Sequence, residues 1–182
     1  MSVKKLFAAF FLFLTFSMAT FAQQVESIAR YNNKVNDDIT SDKLFTHRLT
    51  LNSDSKIWGS LSKYQENADY YFEMRDGIAI LKKIIVTTAV ASRMSYTDLL
   101  FDEQGNLSFA MYQRDMTSTS EKPNRYYYFN KRLILISKGD TSYEEKDFTT
   151  EDVQGGIDVS QKADNFRKIF EAAARIQMPF NK

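Results

Sequence analysis

The side chains able to do chemistry are few. The chain holds one histidine, His47, and no cysteine. A lone imidazole beside Arg48 has no second histidine or thiolate with which to ligate a metal. As a general base it needs a carboxylate to orient it and a nucleophile to serve. With no thiol there is neither a disulfide nor a thiolate nucleophile. The Gly-x-Ser-x-Gly elbow, the phosphate-binding glycine loop, His-Glu-x-x-His and a Ser-x-x-Lys paired with Lys-Thr-Gly are missing from the sequence. No catalytic residue and no cofactor is assigned, and the reading leans away from an enzyme.

Carboxylates crowd one stretch: Asp140, Glu144, Glu145, Asp147, Glu151, Asp152 and Asp158. Oxygen ligands on a loop are what Ca²⁺ requires, but the alternating Asp/Asn spacing, central glycine and closing glutamate of an EF-hand are not there. The stretch reads as a solvated acidic loop leading into a helix N-terminus, where negative charge is favourable, and no metal is assigned. The adjacent pairs Asp37-Asp38 and Glu144-Glu145 do not make a glycosidase site, because neighbours on a strand point to opposite faces.

Tyrosine is the other excess. Tyr70, Tyr71, Tyr96, Tyr112, Tyr126, Tyr127, Tyr128 and Tyr143 cluster in one half of the chain. In a strand, the run Tyr126-Tyr127-Tyr128 puts rings on both faces. Tyrosine offers a large flat area with a polar tip, so rings interleaved with Arg125 can stack on a sugar or anchor a protein. Tyr96, Tyr112, Tyr126, Tyr128 and Arg125 are therefore the candidate contact residues, on an open face of a sheet. Cross-strand packing alone would also favour these rings.

The elements that would carry them follow from patterning. Val25, Ile28, Tyr31, Val35 and Ile39 step by three or four, predicting a helix over about 25–37. Leu44 to Leu51 alternates and predicts a strand. Asn52 to Asn67 reads as loop, with a turn of helix around Trp58. Three segments then repeat one plan of aromatic strand, turn and aliphatic strand: Ala68 to Leu81 through Asp76-Gly77, Tyr96 to Phe109 through Asp102 to Asn106, and Arg125 to Ile136 through Asn130-Lys131. Phe72, Phe101 and Phe129 mark the period. Over short stretches the units resemble MORN-type repeats, the third without its glycine, and that resemblance implies no function.

Gly139 to Gly156 reads as irregular. Asp158 and Gln161 form a variant capping box that starts a helix. Ala163, Phe166, Ile169, Phe170 and Ala173 make its apolar face, with Lys162, Arg167, Lys168 and Glu171 opposite and Pro179 as its stop. The expected fold is α+β: an antiparallel meander of about six strands, three successive hairpins, covered by an N-terminal and a C-terminal amphipathic helix.

Lys4 and Lys5 precede an apolar run from Leu6 to Phe21, which closes on Thr20-Phe21-Ala22. That is the order of a cleavable signal peptide over 1–22, leaving a single domain over 23–182 with no stable membrane span. Loss of the two lysines leaves 22 basic against 23 acidic residues, a net charge of −1, which offers nucleic acid no attraction. The reading is an exported, periplasmic or extracellular, non-enzymatic binding domain whose partner is a protein, glycan or small ligand. The alternative places a small ligand, or a hydrolytic site using His47, in a cavity between sheet and helices.

Overall fold

The computed structural model describes residues 3–57, 59, 63–118 and 120–177, with side chains from Ala22 to Arg175. Helix α1 (Val3–Thr40) precedes strands β1 (Phe45–Leu51), β2 (Tyr64–Arg75), β3 (Ile78–Val90), β4 (Arg93–Phe101), β5 (Leu107–Gln113), β6 (Asn124–Phe129), β7 (Arg132–Lys138) and β8 (Thr141–Glu144). One 3₁₀ turn at Glu145–Asp147 leads to helix α2 (Thr150–Gln177). The eight strands form one antiparallel sheet in chain order, an α+β meander as expected, with β1 and β8 in addition to the three hairpins.

The three hairpins are copies in a stricter sense than their sequences show. Pairing slips by one residue at Tyr71/Phe72, at Leu100/Phe101 and at Tyr127/Tyr128, leaving Lys82, Ser108 and Ile134 unpaired on the facing strands. Such a bulge bends the strand and sharpens its twist. The third copy therefore aligns on Tyr128 and not on Phe129, which is exposed at the turn. Two of the turns are two residues long and adopt positive φ throughout: Asp76-Gly77 (52° and 77°) and Asn130-Lys131 (50° and 66°). Primed turns of this kind match the strand twist, and at Lys131 a side chain other than Gly or Asn tolerates the left-handed region.

The two helices cover opposite faces, so neither face is wholly open. Ala68, Tyr70, Phe72, Ile84, Val86, Leu99, Phe101, Ala110, Tyr126, Tyr128 and Ile136 pack against Ala163, Phe166 and Phe170 of α2. Leu100, Phe109 and Ile134 pack on the other side against Ile28 and Val35 of α1. Helix α1 is continuous well ahead of the predicted start near Val25. It ends as a Schellman motif: Asp42 is left-handed (φ 53°), its N–H donates to Ile39 O (3.1 Å), and Lys43 N–H donates to Asp38 O (2.9 Å). Among the described residues no helix is long and apolar enough to cross a membrane.

Helix α2 begins at Thr150, two turns before the predicted start at Asp158. Its capping box is Thr149 with Asp152: the Thr149 hydroxyl and N–H donate to Asp152 Oδ2 (2.7 and 3.0 Å), and the Asp152 N–H donates back to Thr149 Oγ1 (3.2 Å). Gly155 and Gly156 do not break the helix; they let it touch the sheet. A Cβ on Gly156 would stand 2.6 Å from Leu133 Cδ2, and the Gly156 carbonyl accepts a bond from Tyr128 Oη (2.8 Å). Trp58 and Pro179, to which the sequence assigned a helical turn and a stop, lie outside the described residues.

Candidate functional site

From Gly156 over β7, α2 crosses the sheet to Phe170, whose ring stacks on Tyr70 and tilts against Phe72 of β2. Between these anchors, Lys162 does not point away with Arg167 and Lys168 as its helical position suggested. It lies one turn before Phe166 and turns in to the sheet. Its Nζ sits 6.0 Å over the Phe166 ring and donates to Thr97 Oγ1 of β4 across a long 3.4 Å. Among the described residues it has no carboxylate in ion-pair range. Burial pulls its ammonium below the ordinary lysine range, and the Glu66 charge offsets this in part.

Lys162 opens into a cleft of about 510 Å³ beside α2, whose walls include Glu66 of β2 and Asp158, Phe166 and Ile169 of α2. Beneath Phe166 is Tyr70, fully buried, with its ring centroid 6.5 Å away. The Tyr70 hydroxyl has no hydrogen-bond partner among the described residues. Burial, and then Glu66, push its pKa up to about 12, so it keeps its proton as a donor. The carboxylates of the cleft are engaged. Glu66 accepts from Thr88 Oγ1 (3.1 Å) and from the Tyr64 hydroxyl, and Asp158 accepts from Gln154 Nε2 (2.7 Å). The unmet groups are thus donors: an ammonium with one long bond and a buried hydroxyl with none. The Tyr70 hydroxyl lies behind Phe166 and outside the cleft's lining, so the Lys162 ammonium is the donor that the cleft presents.

The five residues selected from sequence do not share a surface. Tyr126 and Tyr128 are buried beneath α2, where Tyr128 serves Gly156 and Tyr126 lies beside Gly155. Tyr112 is half-buried on that same face and pairs in register with Thr97, next to Lys162. Tyr96 and Arg125, both half-buried, point to the α1 side, with Asp98 and Tyr127 respectively. Only Tyr112 therefore stands near the cleft. Lys162, Glu66 and Tyr70 were missed. The available signal was the helical spacing of Lys162 to Val159 and Phe166, which places a lysine at the margin of the apolar stripe.

His47 of β1 faces the Tyr70 ring at 6.3 Å, and among the described residues no acid bonds to it. Within the acidic stretch Asp140 pairs with Lys122, Glu144 with Lys146, Glu145 with Arg132 and Asp152 with Lys138. Among the described residues no three metal-ligating side chains come together.

The fully buried Lys83, on the α1 side, gives the contrast. Lys83 Nζ reaches Asp98 Oδ2 at 2.8 Å and Asn36 Oδ1 of α1 at 2.6 Å. Both ends of this pair are buried, and burial raises the Asp98 carboxyl despite its lysine. Lys83 is provided for within the fold and ties α1 to the sheet. No family model, no curated protein and no solved structure matches the chain.

Proposed function

We propose that the chain is an exported, non-enzymatic binding domain that takes its ligand in the cleft beside α2. The observation that carries this reading is the half-buried Lys162, which among the described residues has no acid in ion-pair range and lines an open cleft with one long bond to Thr97. An ionisable group whose pKa is shifted by burial and that lines a cleft is a functional-site candidate, and Lys162 is such a group. The cleft replaces the open tyrosine face as the contact surface, with Tyr112 at its side. Export rests on the basic start and apolar run of residues 4–22.

The full chain is expressed in an exporting host and its mature mass measured; loss of the first 22 residues is expected. The mature protein, labelled with ¹⁵N, is then titrated with acetate, benzoate, phosphate and N-acetylglucosamine. Shifts clustered at Glu66, Thr97, Lys162 and Phe166, and lost in Lys162→Met, support the cleft. Shifts absent or scattered over the surface overturn it.

A further inference from the structure

We infer that the outer edge of β1 pairs with the same strand of a second copy of the chain, antiparallel and centred on Arg48, joining two eight-stranded sheets into one. The cleft beside α2 plays no part in it. The sheet is open, so among the described residues β1 and β8 each leave one row of backbone N–H and C=O groups without a strand beside it. The two edges end differently. Strand β8 has four residues, closes on Glu144 and runs into the 3₁₀ turn, whose Glu145 accepts two bonds from Arg132 of β7 (2.7 and 2.6 Å). A short polar edge of that kind recruits no partner. Strand β1 has seven residues without proline, lysine or bulge, and six of them are exposed. Its one arginine does not guard the edge, because Arg48 is turned back on Asp69 of β2 in a two-pronged bond (2.5 and 2.7 Å).

The strand is complementary to itself, and this is what names the occupant. Phe45 stacks on Phe72, so Phe45, His47, Leu49 and Leu51 lie on the α2 side, with Thr46, Arg48 and Thr50 on the other. Phe45, Leu49 and Leu51 remain 58%, 40% and 43% exposed. In the antiparallel register that pairs all seven positions, Phe45 meets Leu51 of the second copy, His47 meets Leu49 and Thr46 meets Thr50. Apolar and Thr–Thr pairs of this kind stabilise a sheet. Arg48 meets its own copy at the two-fold axis, where the two arginines and the two Asp69 carboxylates sum to zero charge. The axis stands perpendicular to the sheet, so both α2 helices lie on one side of it and the apolar side chains form one strip between them. Each copy has only one such edge, and association therefore closes at two.

The test is sedimentation equilibrium of the protein as purified from an exporting host. A strand-pair interface is small and belongs to the micromolar range, so the dimer mass is expected at about 200 μM and the monomer mass at about 0.2 μM. Leu49→Lys, at an exposed site, sets an ammonium against His47 of the second copy twice per dimer and should weaken self-association about tenfold or more. The chain has no cysteine of its own, so the register can be read by cross-linking. Thr46→Cys mixed with Thr50→Cys should form a disulfide-linked dimer faster than either variant alone, whose thiols would lie about 13 Å apart. If single variants link as fast as the mixture, the register is wrong. If a dimer forms that Leu49→Lys does not weaken, the interface lies elsewhere. Either result overturns the pairing, as does a monomer at every concentration, including one whose mass spectrum shows a foreign peptide in place of the second copy.

Discussion

Removing the cation from the Lys83–Asp98 pair should cost far more than removing both charges. The two side chains are 1% and 7% exposed and 2.8 Å apart, and Asp98 Oδ1 already has no partner. Lys83→Met leaves a buried carboxylate alone, a loss of about 3–5 kcal/mol in comparable sites. For a domain of this length each kcal/mol moves Tm by about 2–4 °C, so the expected drop is about 6–20 °C. Lys83→Met/Asp98→Leu removes the charge along with its cation and should return to within about 1 kcal/mol of the wild type, or exceed it.

The sign with pH follows from the same geometry. Burial raises the Asp98 carboxyl, so the folded state holds its proton more tightly than the unfolded chain does. The stability this confers is present below the ordinary carboxylate range and lost as pH rises through the raised value. Without Lys83 the folded value climbs further, and the damage of Lys83→Met should grow from acid to neutral pH. Urea unfolding followed by circular dichroism at several pH values reads both effects. If the losses of Lys83→Met and of Asp98→Leu alone simply add in the double variant, the pair is not coupled and the reasoning fails.

Asp152 should behave in the opposite sense. Its bond from Lys138 and those from Thr149 hold its pKa down at about 2, so its contribution is complete above the ordinary aspartate value and lost as pH falls toward 2; Asp152→Asn should flatten that acid limb in a thermal melt. Ala91 sits at φ 54° in the β3–β4 turn, and Ala91→Gly should stabilise by up to about 1 kcal/mol in urea unfolding. Tyr128→Phe removes one buried bond to Gly156 and should cost about 0.5–1.5 kcal/mol in urea unfolding. Lys162→Met gives up no ion pair and relieves a desolvated charge, so its Tm should match or exceed that of the wild type.

Hairpins were legible because their turns are written locally. Asp76-Gly77 and Asn130-Lys131 name residues that tolerate positive φ, and the alternating runs beside them fix register. The shared bulges were not legible, because Lys82, Ser108 and Ile134 have no side-chain type in common and are set by how each strand bends. Strand β8 is four polar residues at an edge, with no apolar face to announce it. Gly155 and Gly156 argued for a loop by propensity, whereas contact with Leu133 and Tyr126 made small residues necessary inside the helix. The tyrosines were found as a set but not sorted. Alternation puts Tyr126 and Tyr128 on one face and Tyr127 on the other, and only packing shows that α2 lies over the first two.

The two inward lysines show why a site is harder to read than a fold. Lys83 lies in a run, Leu81-Lys82-Lys83-Ile84, that alternation alone would send partly to solvent, yet the chain supplies an aspartate from β4 and an asparagine from α1 to meet it. Lys162 looks in sequence like any lysine on the polar side of an amphipathic helix. What separates them is the inventory of partners: one is closed within the fold and the other is left with a single long bond beside a cavity. A desolvated cation whose cost Glu66 offsets only in part weakens the fold, and that cost is what the proposed ligand would relieve. That argument ties the two charge-removal experiments together. Lys83→Met should harm the fold, and Lys162→Met should harm only what the fold holds.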